Sequence, residues 1–155
     1  MRTVGLPNAA TAEKGRVKTM TQTTSTNAQT EETRRVVNAA YAAAMSGDNE
    51  AFVGLMDPDI ILREADALPN AGVHHGVENV LQAIGAVFAT FDVANLTIES
   101  IVADGEYGIG LITLPIRERP GQTHAVSEVW QVRNGKVVEV RPFYWDTAAL
   151  QAISH

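Results

Sequence analysis

Within residues 127–146, two β-rich stretches flank the dipeptide Asn134-Gly135. That pair favours a tight hairpin turn because both positions tolerate positive φ. A hairpin here constrains the whole chain, since its register decides which side chains face a core. A strict two-residue turn sets Glu128 opposite Arg141 and Trp130 opposite Glu139. A three-residue loop over residues 133–135 with a glycine bulge sets Glu128 opposite Val140 and Trp130 opposite Val138. The second arrangement gathers Val126, Trp130, Val132, Val138, Val140, Pro142 and Tyr144 on one face. It makes the better core and is the expected register. It also leaves Glu128 as an acid inside that core, where burial raises a carboxyl pKa unless a donor compensates. The other register leaves Glu128 half exposed, within reach of Arg141.

At 155 residues the chain fits one domain with a real core. It has no cysteine, so neither a disulfide framework nor a thiolate site is possible. This composition suits a reducing cytoplasm, the expected location. Of 12 basic and 18 acidic residues, residues 1–19 hold four basic and one acidic, which leaves 8 and 17 in the remainder. An acidic body of this kind argues against nucleic acid as a partner. No apolar run approaches the ~20 residues of a membrane helix. Residues 1–19 also lack the apolar segment of ~7–15 residues that a secretory signal needs.

Residues 1–29 are rich in Thr, Ala, Asn and Gln without apolar periodicity, and read as a disordered lead. Met20 is an alternative start to Met1. The folded domain is expected over residues 30–155. Thr30 with Glu31 and Glu32 opens a helix whose Val36, Val37, Ala40, Tyr41, Ala44 and Met45 recur at helical spacing, and Gly47 stops it. Asp48 caps a short second helix carrying Phe52, Leu55 and Met56, ended by Asp57-Pro58. Residues 60–65 read as a strand, 69–76 as a loop, and 77–91 as a third amphipathic helix. Strands are expected over 94–103, 106–118, 122–133 and 136–146. Helices followed by a strand meander define an α+β domain with helices on one face of a curved antiparallel sheet.

Glu64 shares a strand face with Ile60 and Leu62, so it either enters the core or tips into solvent at the strand end. Gly108 and Gly110 remove side chains from one strand face, as a strand bend, room for a ligand or a close backbone approach requires. His74 and His75 fall in the loop before the third helix, and no metal site is expected there. His124 shares parity with Glu128 and can meet Tyr144 across the hairpin. Asp146 reads as the cap of a C-terminal turn. There is no phosphate loop, nucleotide fingerprint or Ser-His-Asp order.

The order helix, Gly47-Asp48, short helix, strand, loop, His75-Gly76, helix and four-strand meander resembles the NTF2-like superfamily, and looks closest to its SnoaL-like and ketosteroid-isomerase-like group. Further matches are Leu55-Met56-Asp57-Pro58-Asp59, Asn134-Gly135-Lys136-Val137-Val138 and Arg141-Pro142-Phe143-Tyr144-Trp145-Asp146. The resemblance implies a cone, a bent sheet wrapped around an apolar pocket with helices closing the back. In steroid isomerases of this group a carboxylate near the end of the first strand abstracts a proton α to a carbonyl. A second carboxylic acid on the third long strand donates a hydrogen bond to the enolate, beside a tyrosine of the first helix. Glu64 and Glu128 fall at the two acid positions. The tyrosine position falls on Ala40, with Tyr41 one residue on, about 100° round the helix. Arg141 raises the Asp-Arg-Asp set of limonene-epoxide-hydrolase-like members, but the neighbouring aspartate position holds Pro142.

These readings converge on a cofactor-free acid/base enzyme for a small hydrophobic carbonyl compound, of isomerase or polyketide-cyclase type. Glu64 and Glu128 are the expected catalytic residues, and Trp130, Tyr144, His74 and Tyr41 the expected ligand contacts. The alternatives are a non-catalytic ligand-binding or dimerising module, and an epoxide-hydrolase-like enzyme. A homodimer is expected through the outer strand face, where Val129, Phe143 and Trp145 lie.

Overall fold

Alternating apolar and polar residues over the C-terminal half produce long strands, and the computed structural model shows how they assemble. It describes residues 9–66, 68 and 70–152, with side chains from residue 26 onward. The described strands are β1 (Met56–Glu64), β2 (Gly72–His75), β3 (Thr97–Asp104), β4 (Tyr107–Pro115), β5 (Thr123–Arg133) and β6 (Lys136–Tyr144). They form one curved, unclosed sheet in the order β2-β1-β6-β5-β4-β3. The sheet is mixed rather than wholly antiparallel, because β1 runs parallel to β6. Residues 72–75, expected as loop, form an edge strand against β1, with Leu62 opposite His74 and Glu64 opposite Gly72. The segment is too short for a visible period and depends on its partner.

Four helices are described: α1 (Ala9–Ser46), α2 (Asn49–Gly54), α3 (Val77–Thr90) and α4 (Thr147–Gln151). None is long and apolar enough to cross a membrane. Thr30 is not the start of a helix, since α1 runs through it. The lead expected over residues 1–29 is helical from Ala9, and its first eight residues lie outside the described residues. The Thr30 hydroxyl donates back to Thr26 O and accepts from Gly105 N.

At the other end of α1, Gly47 adopts φ 72° while Asp48 N donates to Ala43 O and Gly47 N to Ala44 O. This is a Schellman stop. Asp48 then caps α2 through Ala51 N, and Asp146 caps α4 through Ala149 N. α2 ends at Gly54 rather than at Asp57-Pro58, because Met56 already pairs with Val137. Pro58 is tolerated in β1 because it lies in the irregular stretch between Met56 and Ile61.

The hairpin adopts neither expected register. Asn134 (φ 51°) and Gly135 (φ 71°) form a two-residue turn and pair Arg133 with Lys136. A bulge then inserts Val138, so that Trp130 lies opposite Val140 and Glu128 opposite Pro142. Parity returns to the expected face, with buried Val137 replacing Val138 in the core. One residue of bulge therefore places Glu128 inside.

Candidate functional site

α1 crosses the sheet close to β4, and two glycines permit it. A Cβ at Gly110 would lie 2.0 Å from the Tyr41 hydroxyl, and one at Gly108 would lie 3.0 Å from Val37 Cγ2. The room left by these glycines is thus filled by α1 side chains. This inserts Tyr41 above β4 and β5, where Gly110 lies opposite Glu128.

Beside Tyr41 the sheet and helices enclose a cavity with about 80 Å³ of free space. Its walls are apolar, with Val80, Ile84, Val87 and Phe88 of α3 among them. The N–H, O–H and carboxyl groups on its lining belong to five residues, Tyr41, Glu64, Glu128, Trp130 and Tyr144. Among the described residues, no basic side chain lines it.

Glu64 does not tip into solvent at its strand end, because it is only 8% exposed. The Tyr144 hydroxyl donates to Glu64 Oε2 across 3.3 Å. The Tyr41 hydroxyl donates to Glu128 Oε2 across 2.7 Å, and Trp130 Nε1 donates to the Tyr41 oxygen across 3.1 Å. The Tyr41 and Trp130 rings meet edge to face at 5.3 Å, which fixes both planes.

Burial raises the Glu64 pKa to about 7, and the charge of Glu128 adds to the shift; the bonds from Tyr144 and Ala65 N oppose it. Burial also pushes Glu128 up, opposed by the bond from Tyr41. Both tyrosines rise far above their usual range, through burial first and the adjacent carboxylates second, so they stay protonated as donors. Two acids with different surroundings in one apolar cavity can divide acid and base roles.

Five of the six expected site residues therefore line one cavity, and His74 does not. On β2 it donates through Nε2 to Asn70 O at 2.7 Å, beside an open polar groove rather than the acids. Arg141 also stands apart. It is exposed, lies opposite Val129 and donates to Glu139 at 2.6 Å, so it can neither neutralise Glu128 nor serve an epoxide-hydrolase set. His124 does meet Tyr144, with ring centroids 5.9 Å apart, but outside the cavity lining. Among the described residues, no group of three or more His, Cys, Asp or Glu is placed to hold a metal.

Ala40, where the resemblance puts the tyrosine, and Tyr41 both line the cavity, and Tyr41 brings a hydroxyl to Glu128. The insertion of Tyr41 over Gly110 and the donor role of Trp130 were not foreseen. The sequence signal for Gly110 is its parity, facing a strand with an inward acid.

The fold is similar to that of an NTF2-like protein from Burkholderia xenovorans, 22% identical, over 81% of this chain and 98% of that one, with a TM-score of 0.65. It is similar also to a putative ketosteroid isomerase from Kribbella flavida, 20% identical, over 76% and 81%, TM-score 0.63. A third similar structure is TerC co-crystallized with polyporic acid, 16% identical, over 79% and 97%, TM-score 0.67. No curated protein matches. The SnoaL-like domain family matches residues 37–140, a span that holds Tyr41, Glu64, Glu128 and Trp130, and the chain belongs to that family, within the NTF2-like superfamily.

Proposed function

We propose that the protein is a cofactor-free acid/base enzyme acting on a small hydrophobic carbonyl compound. One observation carries this reading: two carboxyl groups, each bonded by a tyrosine, share an apolar cavity whose described lining includes no basic side chain. Glu64, with a pKa of about 7, is available as a base at neutral pH. Its carboxylate takes a proton from the carbon next to the carbonyl. When the pair holds one proton and that proton sits on Glu128, Glu128 donates a hydrogen bond to the enolate oxygen. Glu64 returns the proton it took to another carbon, so that the reaction is a net isomerisation. The same enolate attacking a second carbonyl gives aldol-type ring closure.

Size limits the ligand. An apolar cavity of about 150 Å³ holds benzene, and this one offers about 80 Å³. A ring-sized substrate therefore requires the cavity to widen on binding.

Conversion of a β,γ-unsaturated cyclohexenone to its conjugated isomer, followed by ultraviolet absorbance, tests the reading. Glu64→Gln should abolish turnover, and Glu128→Gln should lower it about 10²-fold or more with folding intact. No turnover by wild type above the uncatalysed rate, with higher melting temperatures in both variants, would instead assign the pair to a non-catalytic binding module.

A further inference from the structure

An indole N–H can only donate, and a phenol has a single hydrogen. Trp130 Nε1 lies 3.1 Å from the Tyr41 oxygen and uses one of its lone pairs. The Tyr41 hydrogen goes to Glu128 Oε2, 2.7 Å away, because turned elsewhere it meets no bonded acceptor among the described residues, although the oxygen keeps a second lone pair. The chain Trp130 to Tyr41 to Glu128 therefore runs in one direction. No hydrogen bond from the described residues reaches the other oxygen of Glu128, and its side chain lines the cavity.

We propose that Trp130 is a positioning residue that fixes the Tyr41 hydroxyl as a donor, so that protonated Glu128 keeps its own hydrogen on Oε1 for a ligand. Without the indole both lone pairs of the Tyr41 oxygen are free, and protonated Glu128 turns its hydrogen onto that oxygen more readily. The acid would then be spent within the protein. The direction of the chain stands without the proposed function; only its use in catalysis rests on that reading.

The groups facing Glu128 are few. Tyr41 comes from α1, Glu64 from β1 and Tyr144 from β6, while α3 sends only apolar side chains to the cavity. Burial holds Glu128 up and the Tyr41 bond opposes it, so the strength of that bond is readable as a titration.

The test is a double-mutant cycle on the Glu128 carboxyl, observed by ¹³C NMR in ligand-free protein from about pH 4 to 10. Trp130→Phe should raise its apparent pKa by about 0.5–1 unit, because the protonated form gains a bond to Tyr41 and the ionised form loses donor strength. In a Tyr41→Phe background the same change should shift it by less than about 0.2 unit. Equal shifts in both backgrounds would mean that Trp130 only packs, and would overturn the proposal.

A second measurement needs no variant. The Trp130 indole N–H resonance should move with the Glu128 carboxyl, while that of Trp145, 88% exposed, should not. A flat Trp130 signal through that titration would overturn the proposal as well. Both results as expected, with no turnover of the cyclohexenone, would sink the proposed function and leave the relay standing.

Discussion

The β5–β6 hairpin carries acids on both faces, and the two faces treat them in opposite ways. Inward, Glu128 lies among apolar walls and its pKa rises through burial; across the cavity Glu64 rises for the same reason. Outward, Glu139 bonds Arg141 at 2.6 Å and Arg63 at 3.1 Å, and Glu106, in the turn between β3 and β4, bonds Arg133 at 2.7 Å. Those bonds hold both outer carboxyls below their usual range, although burial pulls Glu139 the other way. The residue type is the same on each side. Strand parity, reset by the Val138 bulge, decides whether a glutamate becomes a reactive acid or half of a solvated ion pair.

The comparison breaks most severely at Gly110. A Cβ placed there would overlap the Tyr41 hydroxyl, so the phenol must leave. Glu128 and Trp130 then lose their partner. Gly110→Ala should cost about 3 kcal/mol or more, from overpacking together with unmade buried hydrogen bonds. Leu111→Ala, one residue along on the outer face, should cost less than about 1 kcal/mol. Urea unfolding of the two variants checks the contrast.

The pH dependence of stability sharpens it. Glu64 titrates near 4.5 when unfolded and at about 7 when folded, so the folded state binds the extra proton between those values. Stability from this group is fully present below about pH 4.5 and is lost as pH rises through 7, by about 3 kcal/mol. His124, 5% exposed and held down by burial, works in the opposite sense below pH 6.5. The difference between wild type and Glu64→Gln isolates the glutamate. That variant should gain on wild type steadily from pH 5 to 7.5, whereas Glu139→Gln should run parallel to wild type over the same range. Urea midpoints at four pH values would show it.

These contrasts also mark what was legible beforehand. Ile60, Leu62 and Glu64 share a parity, as do Val126, Glu128, Trp130 and Val132, and period-2 alternation is a local property that a strand imposes on itself. The bulge at Val138 is not local, because it forms where β6 meets β5 on one side and β1 on the other. The parallel β1–β6 pairing joins segments far apart in sequence, and a four-residue β2 exists only through β1. That is why His74 was expected at the cavity and stands elsewhere. Gly108 and Gly110 announce missing side chains but not what fills the space, since α1 supplies that from about 70 residues away.

The outer face holds the third contrast. Phe143 is 53% exposed and Trp145 88%, with Val102, Ile109 and Leu111 exposed nearby. We propose that a second copy covers this surface, since solvent-facing apolar groups of this extent mark an interface. Light scattering should give twice the 16.6 kDa of one chain, and Phe143→Ser with Trp145→Ser should return it to the monomer. The pair should change the unfolding free energy of the isolated monomer by less than about 1 kcal/mol. A wild-type monomer at micromolar concentration would leave the face solvated and remove the interface.

The smallest effect belongs to Arg141. Its guanidinium bonds Glu139, and the Arg141 side chain is 45% exposed against 15% for Glu139. Water screens the pair, and Arg63 remains on the other oxygen of Glu139 when Arg141 is removed. Arg141→Gln should therefore cost about 0.5 kcal/mol or less, declining further in high salt. It should leave the Glu128 titration unmoved, because Arg141 lies on the opposite face and opposite Val129. A shift of the Glu128 carboxyl by more than about 0.3 unit on this substitution would mean that the two faces communicate electrostatically, and that parity alone does not separate their chemistry.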